Sequence, residues 1–206
     1  MEHIFNKNRV EAFSDGIFAI IVTLLVLEIK VPHIHETNSA NELTHALLGL
    51  LPKFFSWIIS FFTVAVIWVN HHRIFKQLKQ LDNGIFWWNA VLLLWTSFIP
   101  FPTAVLGDYP DNLISIVLYG FVMSLMALSF TLMRLYAIRN PQVLESSVNI
   151  NAFKTGTRYS LLFGPVMYLS GVALEFLNPF LAFAVYLGIP VYFIFSENKK
   201  QPIETT

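Results

Sequence analysis

The fold is decided by an uncharged run near the start of the chain, GIFAIIVTLLVL at residues 16–27. Its apolar pattern continues to Val31, so the segment from Val10 to Val31 is long enough for a membrane-spanning helix. No Ala-x-Ala site follows the run, although a secretory signal peptide ends at such a small-residue cleavage site. We therefore interpret the run as a retained first helix.

Five further apolar runs follow the first one. A helix needs roughly 20 mainly apolar residues to cross about 30 Å of hydrocarbon. Pro52 lies near the start of the second run and Pro165 lies inside the fifth, where a kink is expected. The sequence thus predicts an all-α integral membrane protein, with residues 1–206 forming a single six-helix transmembrane domain. The predicted spans are about residues 10–31, 47–78, 85–106, 113–135, 159–177 and 180–195.

The composition supports this class and excludes others. Only 13% of the residues are charged, whereas a soluble globular domain carries about 25%. The net charge of zero argues against a nucleic-acid partner, which would require a basic field. The absence of cysteine excludes disulfides, thiolate nucleophiles and Cys-ligated zinc.

The distribution of basic residues predicts the orientation. With the N-terminus inside, 11 of the 13 Lys and Arg residues fall in cytoplasmic segments, as the positive-inside rule expects. Only Lys30 and Lys53 fall on the other side. We therefore expect a multi-pass protein of the cell membrane, surrounded by the lipid bilayer, with both termini in the cytoplasm.

Two polar clusters lie at the predicted cytoplasmic ends of the first two helices. Ionisable groups at the edge of the hydrocarbon are expensive and often functional, so these clusters are the first candidates for a site. One interpretation joins them into a single network at one membrane depth, and the other treats them as interfacial anchors. The first cluster is Arg9, Ser14 and Asp15, and the second is Asn70, His71, His72 and Arg73.

The first helix also carries a stripe of apolar residues with spacings of four and three. In a symmetric assembly such a stripe would bring apolar layers together around an axis, as in a coiled-coil seam. Lipid contact and ordinary packing are the alternatives, because this helix is apolar on every face. The stripe consists of Phe13, Ile17, Ile20, Leu24, Leu27 and Val31.

Three motifs resemble a known family. Arg9-x-x-x-Phe13-Ser14-Asp15-Gly16 with its apolar continuation is similar to the first-helix hallmark of the transmembrane protein 175 family of potassium channels. The segments WVNHH at 68–72 and FIPFP at 98–102 are similar to the second and third helices of that family. A chain with one six-helix unit resembles the prokaryotic branch.

The resemblance implies a homotetrameric potassium-selective cation channel whose pore is lined by the first helix. It places the hydrophobic constriction at Ile20, with Leu24 and Leu27 as further layers, and links Thr23 to selectivity. It assigns Arg9 and Asp15 to a polar network that includes a second-helix histidine, either His71 or His72. It implies potassium as the permeant ion and no cofactor.

The sequence lacks the parts of other ion-handling proteins. There is no Thr-Val-Gly-Tyr-Gly string for a carbonyl filter, and no Arg repeats every third residue to form a voltage sensor. A secondary ion transporter that uses the same cytoplasmic-side polar network is the alternative, although no inverted repeat is visible. An enzyme is not expected, because His71, His72 and Asp15 match no catalytic or metal-binding motif.

Overall fold

The computed structural model describes residues 5–197, and this part of the chain forms helices and isolated bridges but no β-strand. The predicted all-α class is confirmed. Lys199 and Lys200, which contributed to the predicted orientation, lie outside the described residues. The α-helices are α1 (Lys7–Val26), α2 (Ala40–Leu48), α3 (Leu51–Gln77), α4 (Asn83–Phe98), α5 (Pro100–Asp108), α6 (Leu113–Arg139), α7 (Ile150–Leu161), α8 (Met167–Glu175) and α9 (Pro179–Glu197).

Three helical segments are long and apolar enough to cross a membrane, namely α3, the α4–α5 segment Asn83–Asp108, and α6. The stretch Pro179–Phe195 in α9 is apolar but shorter. In α1, Arg9, Glu11 and Asp15 shorten the uncharged part. The chain is an integral membrane protein, and its crossing six times stays a prediction.

The first helix is shorter than the predicted span of residues 10–31. It ends at Val26, and the amides of Leu27 and Ile29 bond to carbonyls three residues back. Pro32 disfavours helical geometry at Val31, the residue before it, but α1 already ends five residues before that position. Similarly, the predicted span 47–78 is divided, with α2 ending at Leu48 and α3 starting at Leu51.

The predicted fifth span, residues 159–177, is interrupted. A π-helical turn at Leu162–Val166 separates α7 from α8 and contains Gly164 with non-helical dihedral angles (φ −97°, ψ −105°). Pro165 cannot donate a backbone hydrogen bond, so the regular helical ladder is broken here. The kink expected at Pro165 is confirmed.

Helix α6 is the centre of the bundle and contacts α4, α5, α7, α8 and α9. Close packing of α6, α8 and α9 depends on two glycines. A Cβ atom at Gly120 would lie 2.1 Å from the Tyr186 hydroxyl, and one at Gly171 would lie 2.4 Å from the ring of the same tyrosine. Tyr186 is fully buried between them and donates a hydrogen bond to the Ile116 carbonyl at 3.1 Å. Helix α1 lies at the edge, against α3, α4 and α5.

The segment between α1 and α3 is fixed by a carboxylate. Both oxygens of Glu42 accept backbone hydrogen bonds, from the amides of His35 (2.7 Å) and Glu36 (2.9 Å). These two bonds favour the ionised form and lower the pKa of Glu42. They hold the loop against α2.

Candidate functional site

Helix α1 has one buried face and one open face. The buried face consists of Val10, Ser14, Phe18, Ile21 and Leu25, spaced as a helix repeats every 3.6 residues. It packs against α3 and α4. The position of α1 is therefore set by one narrow stripe, and the rest of its surface is available for other contacts.

The open face carries all four residues predicted for the constriction. Ile20 is 58% exposed, Leu24 is 42% exposed and Leu27 is 60% exposed, and Thr23 is exposed beside them. Phe13, at the N-terminal end of the same face, is 63% exposed. In a membrane protein, large apolar side chains left uncovered in one row contact either lipid or another copy of the protein.

The stripe differs from the predicted one in two places. Ile17 is partly buried and packs against the core, so it turns away from the open row. Val31 lies beyond the end of α1. Leu27 is the C-cap residue of α1, so it marks the end of the helical row.

The hydroxyl of Thr23 is used within α1. Thr23 Oγ1 donates to the Ile20 carbonyl at 2.8 Å and lies 3.2 Å from the Ala19 carbonyl. A hydroxyl has one donor and two acceptor positions, so the oxygen of Thr23 keeps its capacity to accept. Thr23 thus adds a polar acceptor to an otherwise apolar face.

Behind the open face lies a buried hydrogen-bond network. Asn89 on α4 donates through Nδ2 to Ser14 Oγ (3.0 Å), and its Oδ1 lies 2.9 Å from His71 Nε2 on α3. Ser14 in turn donates to the Val10 carbonyl at 2.8 Å. All donors and acceptors match if His71 carries its proton on Nε2, which fixes the tautomer by satisfying each group. The network joins α1, α3 and α4.

His71 is fully buried and its second nitrogen has no polar partner. Nδ1 makes no hydrogen bond within residues 5–197, and the ring stacks on Phe75 with centroids 4.1 Å apart. A proton on Nδ1 would be a buried donor without an acceptor, which costs free energy. The environment therefore suits a neutral imidazole that acts as a hydrogen-bond donor.

His72 makes a different connection from its neighbour. Its Nδ1 lies 3.2 Å from Glu11 Oε1 on α1. One turn further along α1, Asp15 Oδ1 accepts a hydrogen bond from Trp68 Nε1 at 2.9 Å. Two side-chain bridges between α1 and α3 therefore lie beside the buried network.

Not all members of the predicted polar clusters are brought together. The Arg9 side chain is exposed and forms no hydrogen bond or ion pair with residues 5–197. Asn70 lines a large cavity on the other side of α3, together with Arg73 and Arg134. The structure links Ser14 to His71 through Asn89. It joins Asp15 to Trp68 and His72 to Glu11 directly.

Three participating residues were not among the predicted site residues: Glu11, Trp68 and Asn89. Asn89 had a usable signal, because it is a lone amide in the apolar run IFWWNAVLLLW at 85–95. A polar side chain inside a predicted span needs a partner, so such a residue is a candidate for an interhelical bond. Among the described residues no group of three or more His, Asp or Glu could hold a metal ion.

Comparison with known proteins identifies the family of this chain. Residues 9–100 match the family described as endosomal/lysosomal potassium channel TMEM175. A potassium channel of Chamaesiphon minutus is 37% identical over 193 residues, covering 92% of this chain and 94% of that protein. One of Streptomyces collinus is 32% identical over 195 residues, covering 93% of both chains.

A solved structure extends the likeness to the fold. The crystal structure of a lysosomal potassium-selective channel TMEM175 homologue from Chamaesiphon minutus matches with a TM-score of 0.80 at 36% identity. The match covers 93% of this chain and 98% of that one. These relatives are ion channels and not enzymes. This chain belongs to the TMEM175 family.

Proposed function

We propose that four copies of this chain form a potassium-selective channel in the cell membrane, with α1 of each copy lining a central pore. Each copy crosses the membrane six times and keeps both termini in the cytoplasm. The observation that carries the proposal is the open face of α1, where Ile20, Thr23, Leu24 and Leu27 lie uncovered in one row. The names of the relatives support the ion and the class of protein.

The constriction is formed by apolar side chains instead of backbone carbonyls. Ile20 and Leu24 are four residues apart, which is about 6 Å along a helix, so fourfold repetition produces stacked apolar rings. A narrow ring forces an ion to lose part of its hydration shell, which costs less for potassium than for the smaller sodium ion. Such rings also close by dewetting. Potassium is the permeant species, and no cofactor takes part.

The polar groups of α1 hold the lining in position. The bonds of Ser14, Asp15 and Glu11 to α3 and α4 fix how far α1 is rotated about its own axis. This rotation determines which side chains face the pore. Arg9, on the same side as Phe13, is available for a contact with a neighbouring copy.

The proposal is tested by the reversal potential of the purified protein in planar bilayers under a potassium/sodium gradient. The unmodified protein should reverse close to the potassium equilibrium potential. Ile20→Asn should move the reversal potential toward zero, because a polar ring lowers the cost of admitting sodium. Leu94→Asn is a matched control, since Leu94 is 61% exposed on α4, away from the proposed pore.

Two outcomes would contradict the proposal. An equal shift of the reversal potential in Ile20→Asn and Leu94→Asn would mean that selectivity does not depend on the open face of α1. Ion uptake that needs a counter-gradient, without single-channel current, would favour a secondary transporter using the same polar network.

A further inference from the structure

A second concave feature lies on the far side of α3 from α1. It is a cavity of about 990 Å³ between α3, α6, α7, the π-helical turn and α9. This volume is at the upper end of the range of about 300–1,000 Å³ for small-molecule sites. Most of its lining is apolar or aromatic, and it includes Phe130, Phe163 and Tyr192. The rings of Phe163 and Tyr192 stack with centroids 4.1 Å apart.

The charged groups in the lining are of one sign. Arg73 and Arg134 contribute to the wall, and no Asp or Glu does so in the part of the chain that the structure describes. Arg134 Nε donates to Thr157 Oγ1 at 3.0 Å, and Nη2 donates to the Phe153 carbonyl at 3.2 Å. Its guanidinium carbon also lies 4.3 Å from the centre of the Phe153 ring.

These neutral partners leave some of the N–H donors of Arg134 without a hydrogen bond to the described residues. A guanidinium has five N–H donors, and two of them bond within residues 5–197. Arg134 forms no salt bridge with any described residue. Ionisable side chains in membrane helices pair with one another or with backbone carbonyls, and the remaining donors of Arg134 leave it able to pair with an anion as well.

The guanidinium of Arg134 fits into the cavity wall because residue 156 is a glycine. A Cβ atom at Gly156 would lie 2.9 Å from Arg134 Nη2, so the guanidinium occupies space that only glycine leaves open. Arg134 lies five residues before the end of α6, which is about 8 Å along the helix axis. In the predicted orientation this end is cytoplasmic, so the guanidinium lies near the depth of the inner-leaflet headgroups.

We propose that this cavity binds an anionic phospholipid of the cytoplasmic leaflet. The phosphate pairs with the guanidinium of Arg134, near that of Arg73, and an acyl chain lies along Phe130, Phe163 and Tyr192. Guanidinium groups suit phosphate because their donors match its oxygens. The apolar lining favours a lipid over a soluble phosphate, which would leave most of the cavity without a partner. The proposal depends on the membrane setting and not on ion conduction.

Native mass spectrometry of the purified full-length chain tests the proposal. Phosphatidylglycerol and phosphatidylcholine with the same acyl chains are offered at equal concentration. We expect phosphatidylglycerol to bind about fivefold or more in excess, and Arg134→Gln to reduce this binding about fivefold or more. Arg139→Gln is the matched control, because Arg139 is an exposed cation at the end of the same helix and should change binding less than about twofold.

A second variant keeps the test decisive if Arg134→Gln does not fold. Val66→Trp fills the cavity from α3 and leaves Arg134 in place, so it should reduce phosphatidylglycerol binding as well. Equal binding of the two lipids, or equal effects of Arg134→Gln and Arg139→Gln, would overturn the proposal. Binding of glycerol 3-phosphate as tight as that of phosphatidylglycerol would also overturn it, in favour of a soluble anion.

Discussion

Replacing Asn89 and His71 together should destabilise the protein by less than the sum of the two single replacements, because the two side chains share a buried hydrogen bond. Asn89 is 2% exposed and is the centre of the Ser14–Asn89–His71 network. Asn89→Leu keeps the branched shape and the number of side-chain heavy atoms but leaves the His71 Nε2–H donor buried without an acceptor. His71→Phe keeps an aromatic ring against Phe75 but leaves the Asn89 Oδ1 acceptor without a donor.

The expected magnitudes follow from the number of groups left unpaired. An orphaned buried polar group costs about 1–3 kcal/mol, whereas removing both partners of a hydrogen bond can be nearly neutral. In the double variant Ser14 still donates to the Val10 carbonyl, so its hydroxyl proton stays bonded. We therefore expect each single variant to lose about 2 kcal/mol, and the double variant to lose about 1–2 kcal/mol less than their sum.

The free energy of unfolding can be measured by denaturant titration in mixed micelles, with the melting temperature as a second readout. A loss of about 2 kcal/mol corresponds to a decrease of about 4–8 °C for a chain of this size. Ser97→Ala is the matched control on α4, because the Ser97 hydroxyl is exposed and bonds only to its own helix at Leu94. It should change stability by less than about 0.5 kcal/mol.

An additive double variant would refute the reasoning. If the losses of Asn89→Leu and His71→Phe sum to that of the double variant within about 0.5 kcal/mol, the two residues are energetically independent. The buried bond between His71 on α3 and Asn89 on α4 would then make no specific contribution to stability.

Three further predictions concern packing, assembly and pH. Gly120→Ala should lower the melting temperature by several degrees, because its Cβ meets a buried tyrosine hydroxyl at 2.1 Å, whereas Gly188→Ala has no neighbour within 4 Å and should not. Arg9→Gln should reduce the tetramer fraction in size-exclusion chromatography more than it moves the reversal potential, and normal tetramers with altered ion preference would contradict this role. Because the pKa of Glu42 is lowered in the folded protein, its ionised form stabilises the loop above its ordinary pKa of 4.5. That stability should be lost as the pH falls through the lowered pKa. Hydrogen exchange of the His35 amide, corrected for the intrinsic pH dependence of exchange, would detect the loss.

The class of the protein and the row on α1 were predictable because both depend on periodicity and hydropathy. Ile20, Leu24 and Leu27 repeat at helical spacing, so they had to share a face wherever the helix packed. Which face would be open was not derivable from an evenly apolar helix. The buried face is the one that carries Ser14, whose oxygen accepts a hydrogen bond from Asn89 on α4.

The buried network was only partly predictable, because hydrogen-bond partners depend on how the helices pack. His71 and His72 are adjacent in sequence and point about 100° apart on a helix, so one could be buried and the other could reach the edge. Sequence alone left open which did which. The partner of His71 is 18 residues away on α4, and it lies outside the three sequence motifs.

The helix boundaries deviate where proline and glycine intervene. Pro32 disfavours helix at Val31, although α1 already ends at Val26, and Gly164 with Pro165 divides the fifth apolar run. The proline signal was visible in both cases. The π-helical form of the break was not, because it also depends on Gly164, where a Cβ would lie only 3.0 Å from Ala127 on α6.

The bonds between α1 and α3 have a consequence for biosynthesis. Asp15 and its partner Trp68 are 53 residues apart in the chain, and Glu11 and His72 are separated by 61. At about 5–20 residues per second, these residues of α1 are synthesised about 3–12 s before their partners. During that interval its acidic side chains must stay at the membrane surface, because their burial in lipid is unfavourable. Until α3 is made, Glu11 and Asp15 therefore lack the partners that they have in the folded chain.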